Sequence, residues 1–332
     1  MSDTLIPRIL GSIVAQSAPL MLAVTGETIT ECSGVINLSL DGSMMLSAMI
    51  GFVAAYGSSN LLGTTGDTLP VLIGFAAAAV VGATAALIVA WGSIRLKQNQ
   101  VAIGFVLTLL LADLANFLGQ NHTRIPGPSV RPFGIPILKD IPILGPIFFD
   151  HDLLIYFTFL AVAAATWWLY RTQPGLRMRG VGERPEAAFV RGVNVNRVRY
   201  LYSAVGGALV GLGGAAFSLD IKLGWSDNHI LGMGWIALAI VIFGGWRPIG
   251  GALGAMLYGT TKYIATVLQQ SYPDVPVVLF NSLQWLLMLG VLLLVGSQGV
   301  RRLIDLAPKR LQGPLARALR VSPPEALGMT EK

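Results

Sequence analysis

In this 332-residue chain the side chains able to do chemistry are sparse, and the densest group lies in TGETITECSGVINLSLDGSMM, counted from Thr25. Glu27, Glu31, Asn37 and Asp41 share that stretch with three serines. In apolar surroundings such groups line a pathway, relay or coordinate charge, or meet a partner; a polar turn between two apolar segments is the plainer reading. Asp113 and Asn116 stand three apart, as do Asn281 and Gln284 beside Trp285, so each pair shares one helix face. Either pair can line a polar conduit or make an interhelical hydrogen bond. His122, His151 and His229 are scattered, and Cys32 stands alone, which permits no internal disulfide and no cysteine-based metal site. No GxxxxGKS/T phosphate loop, no GxSxG elbow and no HExxH pair occurs. The expectation is a chain with no catalytic residue, no metal and no cofactor of its own.

The elements that position these groups follow from composition. Residues of the AVILMFWYC set make up 54% of the chain and charged residues 12%, against about 25% charged in a soluble domain. A crossing needs about 20 apolar residues, and nine segments read as spans: 9–30, 38–57, 70–92, 100–119, 152–171, 200–220, 231–246, 249–269 and 277–297. The expected fold class is all-α, a polytopic transmembrane helical bundle of about nine spans (8–10). The first segment has no basic leader and no clear cleavage site, so it reads as a retained span.

Two regions hold 13 of the 23 basic residues. Arg171, Arg177, Arg179, Arg184, Arg191, Arg197 and Arg199 lie in one, and six more fall between Arg301 and Arg320. Basic loops stay cytoplasmic, so both regions are placed inside, with four spans between them. Arg95 and Lys97 then fall inside, the loop 120–151 and the N-terminus outside, and the C-terminus in the cytoplasm. The domain reading is one transmembrane body over 1–300, with a cytoplasmic loop 172–199 and an outside loop 120–151. A cytoplasmic basic tail follows over 301–332. The net charge of +6 is thereby read as membrane topology, with no nucleic-acid partner.

Local signals add detail. The polar stretch is expected to break near Gly34 and Gly42, with its polar groups facing protein or a water-filled path. Pro126, Pro128, Pro132, Pro136, Pro142 and Pro146 make the outside loop a stiff irregular cap, either a plain connection or a docking surface for an outside partner. Gly206, Gly207, Gly211, Gly213 and Gly214 permit close helix contact. Lys262 is expected to snorkel to the outer interface, with Tyr258 and Tyr263 in an interfacial belt. In the inside loop, Pro185 fits the first position of a short helix over 186–191, and Gly192 a left-handed stop. Glu183 and Glu186 near its start and Arg191 near its end suit the helix dipole. So short a helix needs something to rest against; a solvated basic loop is the alternative.

EAAFVRG, residues 186–192, resembles the EAA-x3-G signature of ABC-transporter permeases, the coupling helix that docks in a groove of the ATPase subunit. GETITECSGVINLSLDGSMMLSAM, residues 26–49, is similar to the GE-ISER-GV-NLG-EG-MML pattern of nucleoside and simple-sugar import permeases, which are branched-chain-amino-acid-permease-like. QNQVAIGFVLTLLLADLANFLGQ (98–120) and GMGWIALAIVIFGGWRPIGGALGAMLYG (232–259) resemble later segments of the same subfamily, in the expected order. Two departures stand out. Asp41 occupies the place of an acidic residue in NLGLEG, within a stretch similar to the sugar-permease pattern GIDLSVG, and an asparagine usual in 98–120 is replaced near Thr108.

The resemblance implies a non-catalytic permease subunit of an importer in the bacterial plasma (inner) membrane. Its implied partners are a cassette ATPase that hydrolyses ATP, a second and paralogous permease chain, a periplasmic or lipoprotein substrate-binding protein, and membrane lipid. Coupling to the ATPase falls on Glu186, Ala187, Ala188, Arg191 and Gly192. The candidates for the substrate path are Glu27, Asn37, Asp41, Asp113, Asn116, Asn281 and Gln284, with nucleosides or related simple sugars as the solutes. A pentose or hexose permease is the nearest alternative. An ion-coupled carrier or channel is the alternative of another class; such proteins place ionisable residues near mid-bilayer, and the fifth, seventh and ninth spans have none there, which counts against it.

Overall fold

The structure, a computed structural model, describes residues 5–63, 68–136, 138, 139, 141, 144–297 and 322–329. Among the described residues eleven α-helices follow one another: α1 (Leu5–Cys32), α2 (Leu40–Leu62), α3 (Thr68–Ile94), α4 (Gln100–Gly119), α5 (Leu153–Arg171), α6 (Gln173–Glu183), α7 (Pro185–Val190), α8 (Val195–Ala216), α9 (Met233–Phe243), α10 (Pro248–Ser271) and α11 (Val277–Gly296). Several starts are written locally. The side chains of Asn99, Asp152, Thr172 and Asn194 accept first-turn N–H groups of α4, α5, α6 and α8, donors that a helix start otherwise leaves free. In α1, Ser17, Thr25 and Thr28 donate to carbonyls one turn back at 2.6, 2.7 and 2.7 Å. Their hydroxyls therefore stay satisfied without water.

α8 is the hub, and the glycine run explains why. A methyl group added at Gly206 would run into the Gly26 backbone of α1, at Gly207 or Gly211 into the Gly82 or Ala78 backbone of α3, and at Gly214 into Met44 of α2. The glycines thus admit three different helices to close packing, α1, α2 and α3, and close packing is what the sequence led one to expect.

Seven of the helices (α1, α2, α3, α4, α5, α8 and α11) are long and apolar enough to cross a membrane. The expected span at 231–246 holds only the 11 residues of α9, about 16 Å of helix, or roughly half a bilayer core. The span at 249–269 holds α10, which is 24 residues long but carries threonines, Lys262 and a pair of glutamines. Tyr258, expected at an interface, is instead buried, and its hydroxyl donates to Met233 Sδ at 3.2 Å.

The two ends of the bundle differ. The loop 120–151 is mostly irregular, with a 3-10 turn at Gln120–His122 and a π turn at Gly145–Phe149. Its described residues fold onto the rest of the chain as a cap. Arg124 N donates to Trp225 O at 2.9 Å, Val130 N to Leu219 O at 3.0 Å and Phe133 N to His151 O at 2.9 Å. At the other end of α5 sit α6, α7 and residues 322–329; the rest of the basic tail lies outside the described residues. Ala326 N donates to Gly182 O at 2.9 Å and Gly328 N to Gly34 O at 3.4 Å. Arg184 and Glu325 form an exposed ion pair at 3.4 Å.

Candidate functional site

The residues between α1 and α2 have no regular structure and yet Ser33, Asn37 and Ser39 are completely buried. The chain turns at Gly34, whose φ of +94° suits glycine; the second expected break, at Gly42, lies within α2. From there the backbone runs beside α4 and finds its partners in side chains. Ile36 N donates to Gln100 Oε1 at 2.7 Å, Asn37 N to Glu27 Oε1 at 3.2 Å, and Thr108 Oγ1 donates to Leu38 O at 2.7 Å. Irregular backbone inside a membrane protein needs this kind of internal satisfaction.

α9 starts against the start of α2. Gly232 N and Gly234 N donate to the two carboxylate oxygens of Asp41 at 3.1 and 2.8 Å. A carboxylate at a helix N-terminus meets unpaired N–H groups and the positive end of the helix dipole. Beyond the other end of α9, the Trp246 indole N–H donates to the Glu31 carboxylate and Cys32 Sγ donates to Trp246 O at 3.6 Å. The short helix is thus held at both ends by polar residues of the α1–α2 junction. Glu27, Glu31 and Asp41 are all buried, as is Arg199, whose guanidinium lies beside Gly34.

The structure gathers Glu27, Asn37 and Asp41 at this junction. Gln284 approaches it: its neighbour Trp285 lays its ring against Gly232, while Gln284 itself is buried with its amide nitrogen facing no hydrogen-bond partner. Asn281 accepts a hydrogen bond from Lys262 Nζ at 3.4 Å. Asp113 is exposed, and Asn116 is joined to Asn228 on the segment before α9, donating to its side chain at 2.8 Å and accepting from its backbone N–H at 3.2 Å. The α4 pair therefore belongs to the capped end and not to the junction. Gln100, Thr108, Arg199 and Trp246 are junction residues that spacing did not single out. Only Thr108 had a signal, as a departure from the family pattern.

In the segment joining α8 to α9, His229 Nδ1–H donates to Ser226 O at 2.8 Å and its ring meets Trp225 edge-on at 4.9 Å. Burial pushes this imidazole down to about 4, so it is neutral at neutral pH.

The inside loop carries the second set of candidates. α7 forms where expected, and Gly192 ends it with φ +81°. Gly192 N donates to Phe189 O at 2.8 Å and Val193 N to Ala188 O at 3.1 Å, which satisfies carbonyls the helix end leaves free. α7 rests on its own chain through Ala188, which packs with Val181 of α6 and Val195 of α8. Glu186, Ala187, Arg191 and Gly192 are on the open surface. So are Phe189 and Val190, 72% and 86% exposed. Of the five coupling candidates Ala188 alone faces inward, and two apolar residues not among them face out.

Residues 9–296 match the family model described as branched-chain amino acid transport system / permease component. The nucleoside ABC transporter permease protein NupC of Lactococcus lactis subsp. cremoris is 32% identical over 265 residues, 78% of this chain and 82% of the relative. The guanosine ABC transporter permease protein NupQ of Bacillus subtilis is 34% identical over 279 residues, 81% and 85% of the two chains. The putative glucose ABC transporter permease protein TsgC13 of Haloferax volcanii is 35% identical over 255 residues, 76% and 74% of the two chains.

Proposed function

The chain belongs to the branched-chain amino acid transport system / permease component family, and from that premise we propose that it is the membrane-spanning permease subunit of an ABC importer for nucleosides. The solute is inferred from NupC and NupQ, two relatives named for nucleosides and guanosine that match about four-fifths of this chain. A simple-sugar permease is the second reading, favoured by the 35% identity to TsgC13.

The observation that carries the mechanism is α7. A six-residue helix anchored by Ala188 and showing Phe189 and Val190 to the surface is a ready docking element for another protein. In this reading the ATPase subunit takes α7 in the cytoplasm, among the arginines of 171–199. ATP hydrolysis then belongs to that subunit, and this chain supplies no catalysis. The 120–151 cap faces outside, where a substrate-binding protein delivers solute, and a paralogous permease completes the path in the bacterial plasma membrane. Nine crossings follow if the stretch 231–246, with α9 at its centre, makes one and α10 makes the next. Gly251 of α10 lies against Val24 of α1, and Gly259 against Ser17, so the two helices run antiparallel side by side. Motion at α7 passes through α6, whose Gly182 abuts Cys32 and Gly34, to the junction that holds α9. An ATPase that binds one arrangement of these elements more tightly shifts the permease towards it.

The test combines pull-down with uptake. The Phe189→Asp/Val190→Asp double variant is expected to lose the co-purifying ATPase while keeping the wild-type melting temperature; undiminished recovery of the ATPase overturns the docking assignment. Cells carrying the transporter are expected to take up labelled guanosine in competition with other nucleosides and not with excess glucose. Competition by glucose moves the assignment to the sugar reading.

A further inference from the structure

A cavity of about 870 Å³ lies at the capped end of the bundle, between α3, α5, α8 and the cap residues Ser129–Phe133. That volume is within the roughly 300–1,000 Å³ typical of small-molecule sites. Its body is apolar, built from Val71, Leu72 and Phe75 of α3, Leu160 of α5 and Leu212 of α8. Leu72 and Leu160 are 52% and 66% exposed, so the cavity opens on a surface of two membrane-crossing helices. Glu27, Asn37 and Asp41 are not among its lining residues, which separates it from the junction.

One lining residue is charged. Arg131 is exposed, and among the described residues it has no acidic partner within salt-bridge distance. Asp152 pairs through its backbone with neighbouring Pro132, but its carboxylate accepts Ile155 N at 3.0 Å at the start of α5 and does not line the cavity. An apolar chamber open to the bilayer, whose charged lining residue Arg131 lies at the cap, matches an amphiphile with an anionic head. We propose that this cavity binds an anionic phospholipid, with its acyl chains along α3 and α5 and its phosphate at Arg131. A lipid held there fastens the cap to the helices beneath it. The proposal is independent of the transported solute.

The test is native mass spectrometry of the delipidated full chain, titrated with dioleoyl phosphatidylglycerol or dioleoyl phosphatidylcholine. The wild type is expected to hold one phosphatidylglycerol at least tenfold more tightly than phosphatidylcholine. Arg131→Gln should lower phosphatidylglycerol affinity roughly tenfold, the scale of losing a hydrogen bond to a charged group, and leave phosphatidylcholine unchanged. Leu72→Trp, which fills the chamber from an exposed position, should weaken both lipids. Equal affinity for the two lipids in the wild type, or unaltered phosphatidylglycerol binding in Arg131→Gln, overturns the proposal. So does a Leu72→Cys variant that cross-links to a second permease chain whether or not the lipid is present, since the cavity is then an interface between chains.

Discussion

Asp41→Ala removes the acceptor that holds the start of α9. Two buried N–H groups, those of Gly232 and Gly234, then have no partner. Each orphaned buried donor costs roughly 1–3 kcal/mol, so the pair should destabilise the docked position of α9 by about 2–6 kcal/mol. Asp41→Asn keeps one side-chain oxygen and can still serve one of the two donors, which halves the loss to about 1–3 kcal/mol. The chain contains its own reporter. Cys32 is the single cysteine, is buried, and contacts Trp246 just beyond the far end of α9. If labelling by a maleimide requires local opening, its rate follows the opening constant. Tenfold corresponds to about 1.4 kcal/mol, so Asp41→Ala should label at least roughly 30-fold faster than wild type, with Asp41→Asn between the two. Wild-type labelling in Asp41→Ala, or faster labelling in Asn than in Ala, would refute the assignment of Asp41 as the anchor of α9. Wild-type labelling together with lost uptake would return Asp41 to the solute path.

Trp246→Phe deprives the buried Glu31 carboxylate of its indole donor and should cost about 1–3 kcal/mol; a melting temperature equal to wild type contradicts this. Deleting 322–332 removes the hydrogen bonds to Gly182 and Gly34, net about 0.5–1.5 kcal/mol each, and an exposed ion pair that adds little. Cys32, two residues from Gly34, should then label several-fold faster, and an unchanged rate shows that the segment does not support the junction. His229 has its folded value lowered to about 4. The unfolded chain therefore binds the extra proton first, and stability should be full above about pH 6.5 and fall as the pH drops towards 4. Melting curves at several pH values should show that loss in wild type and a smaller one in His229→Gln; equal losses refute the role.

Features set by neighbours in the chain were legible in the sequence. Gly192 ends α7 as the left-handed stop it resembles, and the start of α4 at Gln100 follows from Asn99. The glycine run of α8 announced close packing, though not which helix each glycine would admit. The polar stretch announced residues that face protein or a water-filled path. Their partners could not be read, because Asp41 meets Gly232 across 191 residues and Glu31 meets Trp246 across 215. No periodicity connects such pairs. α7 was legible as a helix but not in its orientation: six residues make less than two turns, too few for a pattern to tell whether Ala188 or Phe189 faces inward.

The broken α1–α2 connection and the half-length α9 are best understood as one feature. A helix that begins inside the protein has N–H groups that neither a preceding turn nor water can satisfy. An acceptor must come from elsewhere, and it must sit at the depth where the helix begins. Asp41 can do so only because α2 also begins inside the protein, and α2 begins there because residues 35–39 pass irregularly beside α4 instead of continuing α1. That irregular run in turn needs Glu27, Gln100 and Thr108 for its own backbone. The acidic and amide residues that looked like a site in the sequence are therefore first the means by which two helices start within the bundle. Any solute contact at this junction is made by groups that also decide whether α9 is in place, so an effect on transport there has to be read beside the labelling of Cys32.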